Sequence, residues 1–522
     1  MAALLAARAV ASPASSLRAL AARHPALGGL ALFGAVAAAC RPASFRTPIG
    51  RDTGAYLYVG DVILHGGTPY VDAANNKGPL TYVLFAAIDA VGGTSVVFVR
   101  LVLLAFAAVA ALALAGYFEV FAGRAAAVLA GVTLAALQSA EAFQGDDPNS
   151  EQFALAPMAV AWWLATRPQR WAAVAAGACV AAAVAMNPAL VVLAPFVAWE
   201  LWRSRREGRA GRFASAAGGA VAVIGPLVLW LGLAGALPAM WEQLGTQSTG
   251  VLSATQPHPG GGALFGAGGQ LADVAAGVPR LAGILGRAFA HRDLHHLTDV
   301  PAPGLWLAGI VGCLVALRDP RLRRIALPAL GWIVFSWLRV KLTRYEYPHH
   351  YAPALVGIAA GIAAGTAALW RPGALNRGAL SALVLAAPVW AFVLDPQWQG
   401  LAIPPQDRSA PGNQYGHVYP VSHWLRDNTP ANARIYVVGA QAEVYWLADR
   451  RASTPYFDEF AVIYRPAAAA RRSRDLHAHP PDYVVATFQD VPSPELQSIM
   501  DRLHYRLVYT DPVGGRAWTR PG

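Results

Sequence analysis

Charge is scarce in this chain: 14% of its 522 residues are Asp, Glu, Lys or Arg, where soluble domains carry about 25%. Lysine is almost missing. Lys77 and Lys341 are the two in the chain, so 39 of the 41 basic residues are arginine. Cysteine is rare too. Cys40, Cys179 and Cys313 lie far apart, in or beside apolar segments, which excludes a disulfide framework or a CxxC site. No HExxH pattern occurs. The glycine-rich stretch 260–269 follows no strand and lacks the P-loop lysine, which argues against a nucleotide cradle.

What remains is apolar. Leaving out the 17 tyrosines and counting the 50 glycines turns the 56% hydrophobic content into about 62–63%, against ~45–50% in soluble domains. Mean hydropathy is +0.38. A soluble enzyme and a disordered chain are both excluded. The composition is that of a polytopic membrane protein.

The net charge of +11 is placed as a topology signal. Arginines cluster in short links between apolar runs: Arg124; Arg167 and Arg170; Arg203, Arg205, Arg206, Arg209 and Arg212; Arg318, Arg321, Arg323 and Arg324; Arg371 and Arg377. Basic residues are retained on the cytoplasmic side. A nucleic-acid partner would need them on one continuous face, so none is expected.

These runs predict about eleven spans, at 26–40, 95–116, 125–141, 152–166, 172–186, 189–202, 214–236, 303–317, 325–338, 351–370 and 376–394. Segment 80–92 is apolar but short and reads as a half-inserted helix. The first run reads as an uncleaved anchor, because Arg41-Pro42 offers no small-residue cleavage site. The N-terminus is expected inside, in the cytoplasmic membrane, and the C-terminus outside. Loops 41–79, 142–151, 237–302 and 339–350 would then face the exterior. No internal repeat is evident.

Polar residues return after Asp395, which divides the chain into a membrane domain, 1–395, and an exterior domain, 396–522. Val418, Val421, Trp424 and Leu425 mark a helical face. Strands are expected at Ile435–Gly439, Asp482–Phe488, Arg506–Tyr509 and Ala517–Arg520. Helices are expected at Ala442–Ala448 and Ser493–His504, the second opening on Ser493-Pro494-Glu495. The fold class is therefore a multi-span helical bundle followed by an α/β domain.

The most informative stretch runs Arg51-Asp52-Thr53-Gly54-Ala55-Tyr56, then Gly67-Thr68-Pro69-Tyr70, then Asn76-Lys77-Gly78-Pro79-Leu80. It resembles the first exterior loop of the GT-C membrane glycosyltransferases. Within them it is similar to family 39, which includes protein O-mannosyltransferases and the bacterial aminoarabinose transferase. Glu151 and Pro348-His349-His350-Tyr351 extend the similarity. Asn187-Pro188 departs from it where relatives carry Lys-Pro, and Asn75-Asn76 replaces a more acidic context before the lysine.

The resemblance implies transfer of a sugar from a polyprenyl-phosphate donor to a lipid, glycan or protein acceptor, with inversion. Asp52 would be the general base, since a hydroxyl is a poor nucleophile unless polarised at the moment of attack. Glu151 would be a second catalytic carboxylate, orienting the acceptor or a divalent metal; Asp52 would be its partner if a metal binds. Lys77, Lys341, Arg344, His349 and His350 would hold the leaving phosphate. Other readings stay open. Asp52 or Thr53 suits an N-cap for a helix starting near Gly54, and Asp147-Pro148 suits an N-cap and first helical residue. Lys341, Arg339 and Arg344 also suit lipid head groups. His291, His295 and His296 offer i, i+4 spacing for a metal but lack a clear third ligand, and read as an exterior amphipathic helix. A transporter or flippase, or a non-catalytic envelope-assembly protein, is the rival class.

Overall fold

The fold is described from a computed structural model for residues 25–41, 44–45, 47–204, 208–253, 300–343, 347–370, 417–462, 465–487 and 490–521. Arg344, the three histidines of 291–296, the glycine-rich stretch 260–269 and the span expected at 376–394 lie outside these residues.

Apolar runs become helices: α1 Pro25–Ala39, α2 Arg51–Leu64, α3 Pro79–Gly92, α4 Val96–Ala122, α5 Arg124–Leu137, α6 Ser150–Ala165 and α7 Arg170–Met186. Then come α8 Ala194–Arg203, α9 Arg209–Leu233, α10 Leu237–Ser253, α11 Pro303–Ala316, α12 Arg323–Thr343 and α13 Ala354–Leu369. Among the described residues, α4 and α9 are long and apolar enough to cross a membrane, and α1, α3, α5, α7, α11 and α13 are shorter apolar helices. Composition and these helices place the protein in a membrane. The 14 residues of α3 span about 21 Å, short of the ~30 Å hydrocarbon core.

Three boundaries differ from the sequence reading. Helix α2 starts at Arg51 with Gly50 as its N-cap, so neither Asp52 nor Thr53 caps it; both lie in its first turn. Helix α6 starts at Ser150 after Asn149, because the Asp147 carboxylate is turned away to accept from Thr53 Oγ1 at 2.8 Å. The run at 189–202 opens as a 3-10 turn, Pro188–Leu193, before α8; the Asn187 side chain accepts from Ala189 N at its start.

Residues 417–521 build α14 Val418–Asn428, β1 Arg434–Val437, α15 Glu443–Ala448, β2 Arg451–Ala452, α16 Pro466–Ala478, β3 Tyr483–Ala486, α17 Pro494–Arg502, β4 Arg506–Thr510 and β5 Arg516–Thr519. The sheet order is β2-β1-β3-β5-β4. β1 runs parallel to both β2 and β3, with Ile435 opposite Tyr483; β5 is antiparallel to β3 and β4, with Trp518 opposite Val484. Ser493 does cap α17, accepting from Leu496 N at 3.3 Å.

This domain sits on α2 and α3. Tyr58 packs tilted against Tyr445 and edge-to-face against Phe457, at centroid distances of 5.0 and 4.7 Å, and its hydroxyl accepts from Ala452 N. Arg451 pairs with Asp61 at 3.2 Å. Trp446 Nε1 donates to Asp89 of α3 at 2.8 Å. Helix α2 is thus clamped between bundle and sheet.

Candidate active site

Two buried arginines set the walls of the site. Arg100, one turn into α4, donates to the carbonyls of Thr47, Pro48 and Asp146 and to Ser44 Oγ, at 2.6 to 3.2 Å. Arg41 donates to Gln138 O at 2.7 Å and Ser139 Oγ at 2.9 Å. An arginine inside an apolar run is expensive without partners. Here it draws the chain before α2 against the loop before α6. That brings Asp52, Asp147 and Glu151 to one end of the bundle.

Asp52 is partly open to solvent. Its side chain is 37% exposed, and its Oδ2 lies 3.9 Å from His349 Nε2, too far for a direct hydrogen bond. Burial pushes the His349 imidazole down to about 4, so the ring is neutral. Its Nδ1 lies 2.6 Å from Gln144 Oε1; with Nδ1–H donating there, Nε2 is left as an acceptor. His350 is pushed down to about 3, by burial and then by His349 beside it.

Glu151 lies deeper, 1% exposed. It accepts from Lys77 Nζ at 3.2 Å, Asn187 Nδ2 at 2.8 Å and Ser150 Oγ at 2.8 Å, with His350 Nε2 at 3.6 Å. Lys77 is held on both sides: its N–H donates to Tyr82 Oη and its C=O accepts from Tyr70 Oη. Gly78 follows because the turn presses onto the end of α7, where a Cβ would lie 2.1 Å from Ala185 O. The expected phosphate contact Lys341 is 2% exposed; its neighbour Arg339 is 7% exposed and donates to His350 O.

Asp147 is the neighbour that sequence reasoning assigned elsewhere. It accepts from Thr53 Oγ1 and Asn149 Nδ2 against the first turn of α2. Burial, then the adjacent Asp146, pushes its carboxyl up to about 7. Asn187 was noted as a departure from relatives; it turns out to hold Glu151. Gln144 and Arg100 were not singled out. The signal for Arg100 was an arginine within an apolar run; for Gln144 there was none.

Among the described residues, Glu151, His349 and His350 bring ligand atoms within 4.8 Å of one another. One carboxylate and two neutral imidazoles suit a divalent metal, a set in which His349 and His350 stand where Asp52 was expected. Lys77 competes for the same carboxylate, so the fit is partial.

No family model matches the chain, and no match is found among curated proteins. Solved structures do match. ArnT from Cupriavidus metallidurans in the apo state aligns over 95% of this chain and 98% of its own, with a TM-score of 0.56 and 13% identity. The same protein bound to undecaprenyl phosphate gives 94%, 98%, 0.55 and 15%. The oligosaccharyltransferase AglB from Archaeoglobus fulgidus, in complex with an inhibitory peptide and a dolichol-phosphate, covers 96% of this chain and 75% of its own, at 0.52 and 13%. The chain shares the fold of these structures, which supports its resemblance to the GT-C membrane glycosyltransferases. At these identities the likeness concerns the fold; the chemistry has to be argued from the side chains.

Proposed function

We propose that this protein transfers a sugar from a polyprenyl-phosphate donor to an acceptor on the outer face of the cytoplasmic membrane, with inversion. The observation that carries the reading is an accessible carboxylate, Asp52, beside a buried Lys77–Glu151 pair, in a fold shared with structures that hold undecaprenyl phosphate or dolichol-phosphate. In this reading residues 1–395 are the membrane domain, with about eleven spans, and 396–522 the exterior domain.

The acceptor hydroxyl donates to Asp52 as its oxygen attacks the anomeric carbon. The bond from that carbon to the phosphate oxygen breaks, its electron pair leaves with the lipid phosphate, and the proton ends on Asp52. Lys77 has three donors and uses two on Glu151, leaving one for the phosphate as charge builds there. Asn187 and Ser150 hold Glu151 in place. A divalent metal on Glu151, His349 and His350 would add positive charge at the same point.

The test is sugar transfer in membranes supplied with a panel of radiolabelled polyprenyl-phosphate sugars, wild type against Asp52→Asn. Transfer by the wild type and its loss, by about a hundredfold or more, in an inserted mutant supports the reading. Equal transfer by both removes Asp52 as the base. No transfer from any donor, with transbilayer movement of a lipid or solute instead, favours the transporter class.

A further inference from the structure

Two tyrosines hold the backbone of Lys77, and one of them, Tyr70, is itself held from far along the chain. Tyr70 has a φ of 70°, left-handed backbone that a bulky residue keeps when its surroundings fix it. Its N–H donates to Ala73 O at 2.9 Å, and its ring packs edge-on against Tyr82 at 5.5 Å. Its carbonyl accepts from Gln243 Nε2 of α10 at 2.7 Å, across 173 positions of sequence. A carbonyl can only accept, so the amide nitrogen of Gln243 must be the atom that faces it. Gln243 is buried. The C-terminal domain grips α10 at this point: Arg465 Nη2 donates to Gln243 O at 2.8 Å, and Arg471 of α16 pairs with Glu242.

These bonds make one continuous path. Gln243 fixes the Tyr70 carbonyl, the Tyr70 hydroxyl donates to Lys77 O at 2.7 Å, and Lys77 Nζ reaches Glu151 at 3.2 Å. We propose that Gln243 is a positioning residue for Lys77: it anchors Tyr70 in its left-handed turn, and so sets where the ammonium meets the lipid phosphate. The proposal rests on the donor reading above. Without the amide donor the Tyr70 carbonyl loses its partner. The turn then relaxes toward negative φ, and the Tyr70 hydroxyl no longer fixes the Lys77 backbone. A phosphate contact depends on placement to within about 0.5 Å, whereas a polyprenyl tail on apolar helix surfaces does not depend on Lys77.

The experiment measures binding of undecaprenyl phosphate, and of undecaprenol, the same tail without the phosphate, to the full-length protein in nanodiscs. Gln243→Met, close in shape but with no donor, is expected to weaken binding of the phosphate lipid about tenfold, equivalent to ~1.4 kcal/mol, and to leave undecaprenol binding unchanged. Tyr70→Phe should do the same. The double variant should bind no more weakly than the weaker single one, because both changes act through the Lys77 backbone. If Gln243→Met fails to insert, Gln243→Glu, whose ionised carboxylate cannot donate, takes its place. Wild-type affinity for the phosphate lipid in the Gln243 variant, equal losses for both lipids, or losses that add in the double variant overturn the proposal alone. Equal binding of the two lipids by the wild type removes the donor reading, and this proposal with it.

Discussion

At the scale of single residues, Glu151 and Lys77 form a buried pair whose members need each other. Removing one partner leaves an uncompensated charge, which costs about 3–5 kcal/mol. Lys77→Met is therefore expected to lower the thermal midpoint sharply, and Lys77→Met with Glu151→Gln to recover most of it. Sugar transfer should stay lost in both. Unfolding in detergent, followed by tryptophan fluorescence, checks the first part; recovery of transfer in the double variant would contradict the second. Asp147 gives a pH signature of the opposite kind from a salt-bridged acid. Its carboxyl is pushed up to about 7, against ~3.9 in the unfolded chain. The folded state thus holds the proton more tightly, and stability falls as pH rises from about 4 to about 7, then levels. The total is on the order of a few kcal/mol. Asp147→Asn should flatten that slope; an unchanged slope would mean that Asp147 titrates alike in both states.

At the scale of elements, the helices were legible because apolar runs of this length leave the backbone no other way to satisfy its hydrogen bonds in lipid. Lys77-Gly78-Pro79-Leu80 was legible as a turn into α3 for a local reason: Pro79 suits the first helical position and Gly78 the close approach to α7. The role of Asp147 was not legible. Its partner Thr53 lies 94 positions away, and a local reading placed it as the cap of α6. Arg100 is what makes the two loops meet. Arg100→Leu would strip several charge-assisted hydrogen bonds from buried carbonyls, at about 1.5–3 kcal/mol each. It should abolish transfer and speed proteolysis between 44 and 50 and between 138 and 149. Proteolysis at the wild-type rate would show that the loops are held by something else.

At the scale of the molecule, the two ends of the bundle differ in kind. One carries Asp52, Lys77, Glu151, His349 and His350. At the other, the arginine links converge: Arg203 Nη2 pairs with Glu200 and donates to Arg324 O at 3.1 Å, and Arg212 donates to the carbonyls of Ala165 and Arg167. Helix α4 joins them, with Arg100 at the first end and Tyr117, donating to Glu200, near the second. Its 27 residues span about 40 Å, enough to cross a bilayer. If basic links stay inside, the C-terminal domain and the Asp52 site face out. Single cysteines test this in a background with Cys40, Cys179 and Cys313 replaced. Val491→Cys, at a 71% exposed position of the C-terminal domain, should react with a membrane-impermeant maleimide in intact cells. Arg124→Cys, where the side chain is 84% exposed, should react after permeabilisation alone. The reverse pattern would put the site on the cytoplasmic face, where a donor would have to be met before it crosses the membrane.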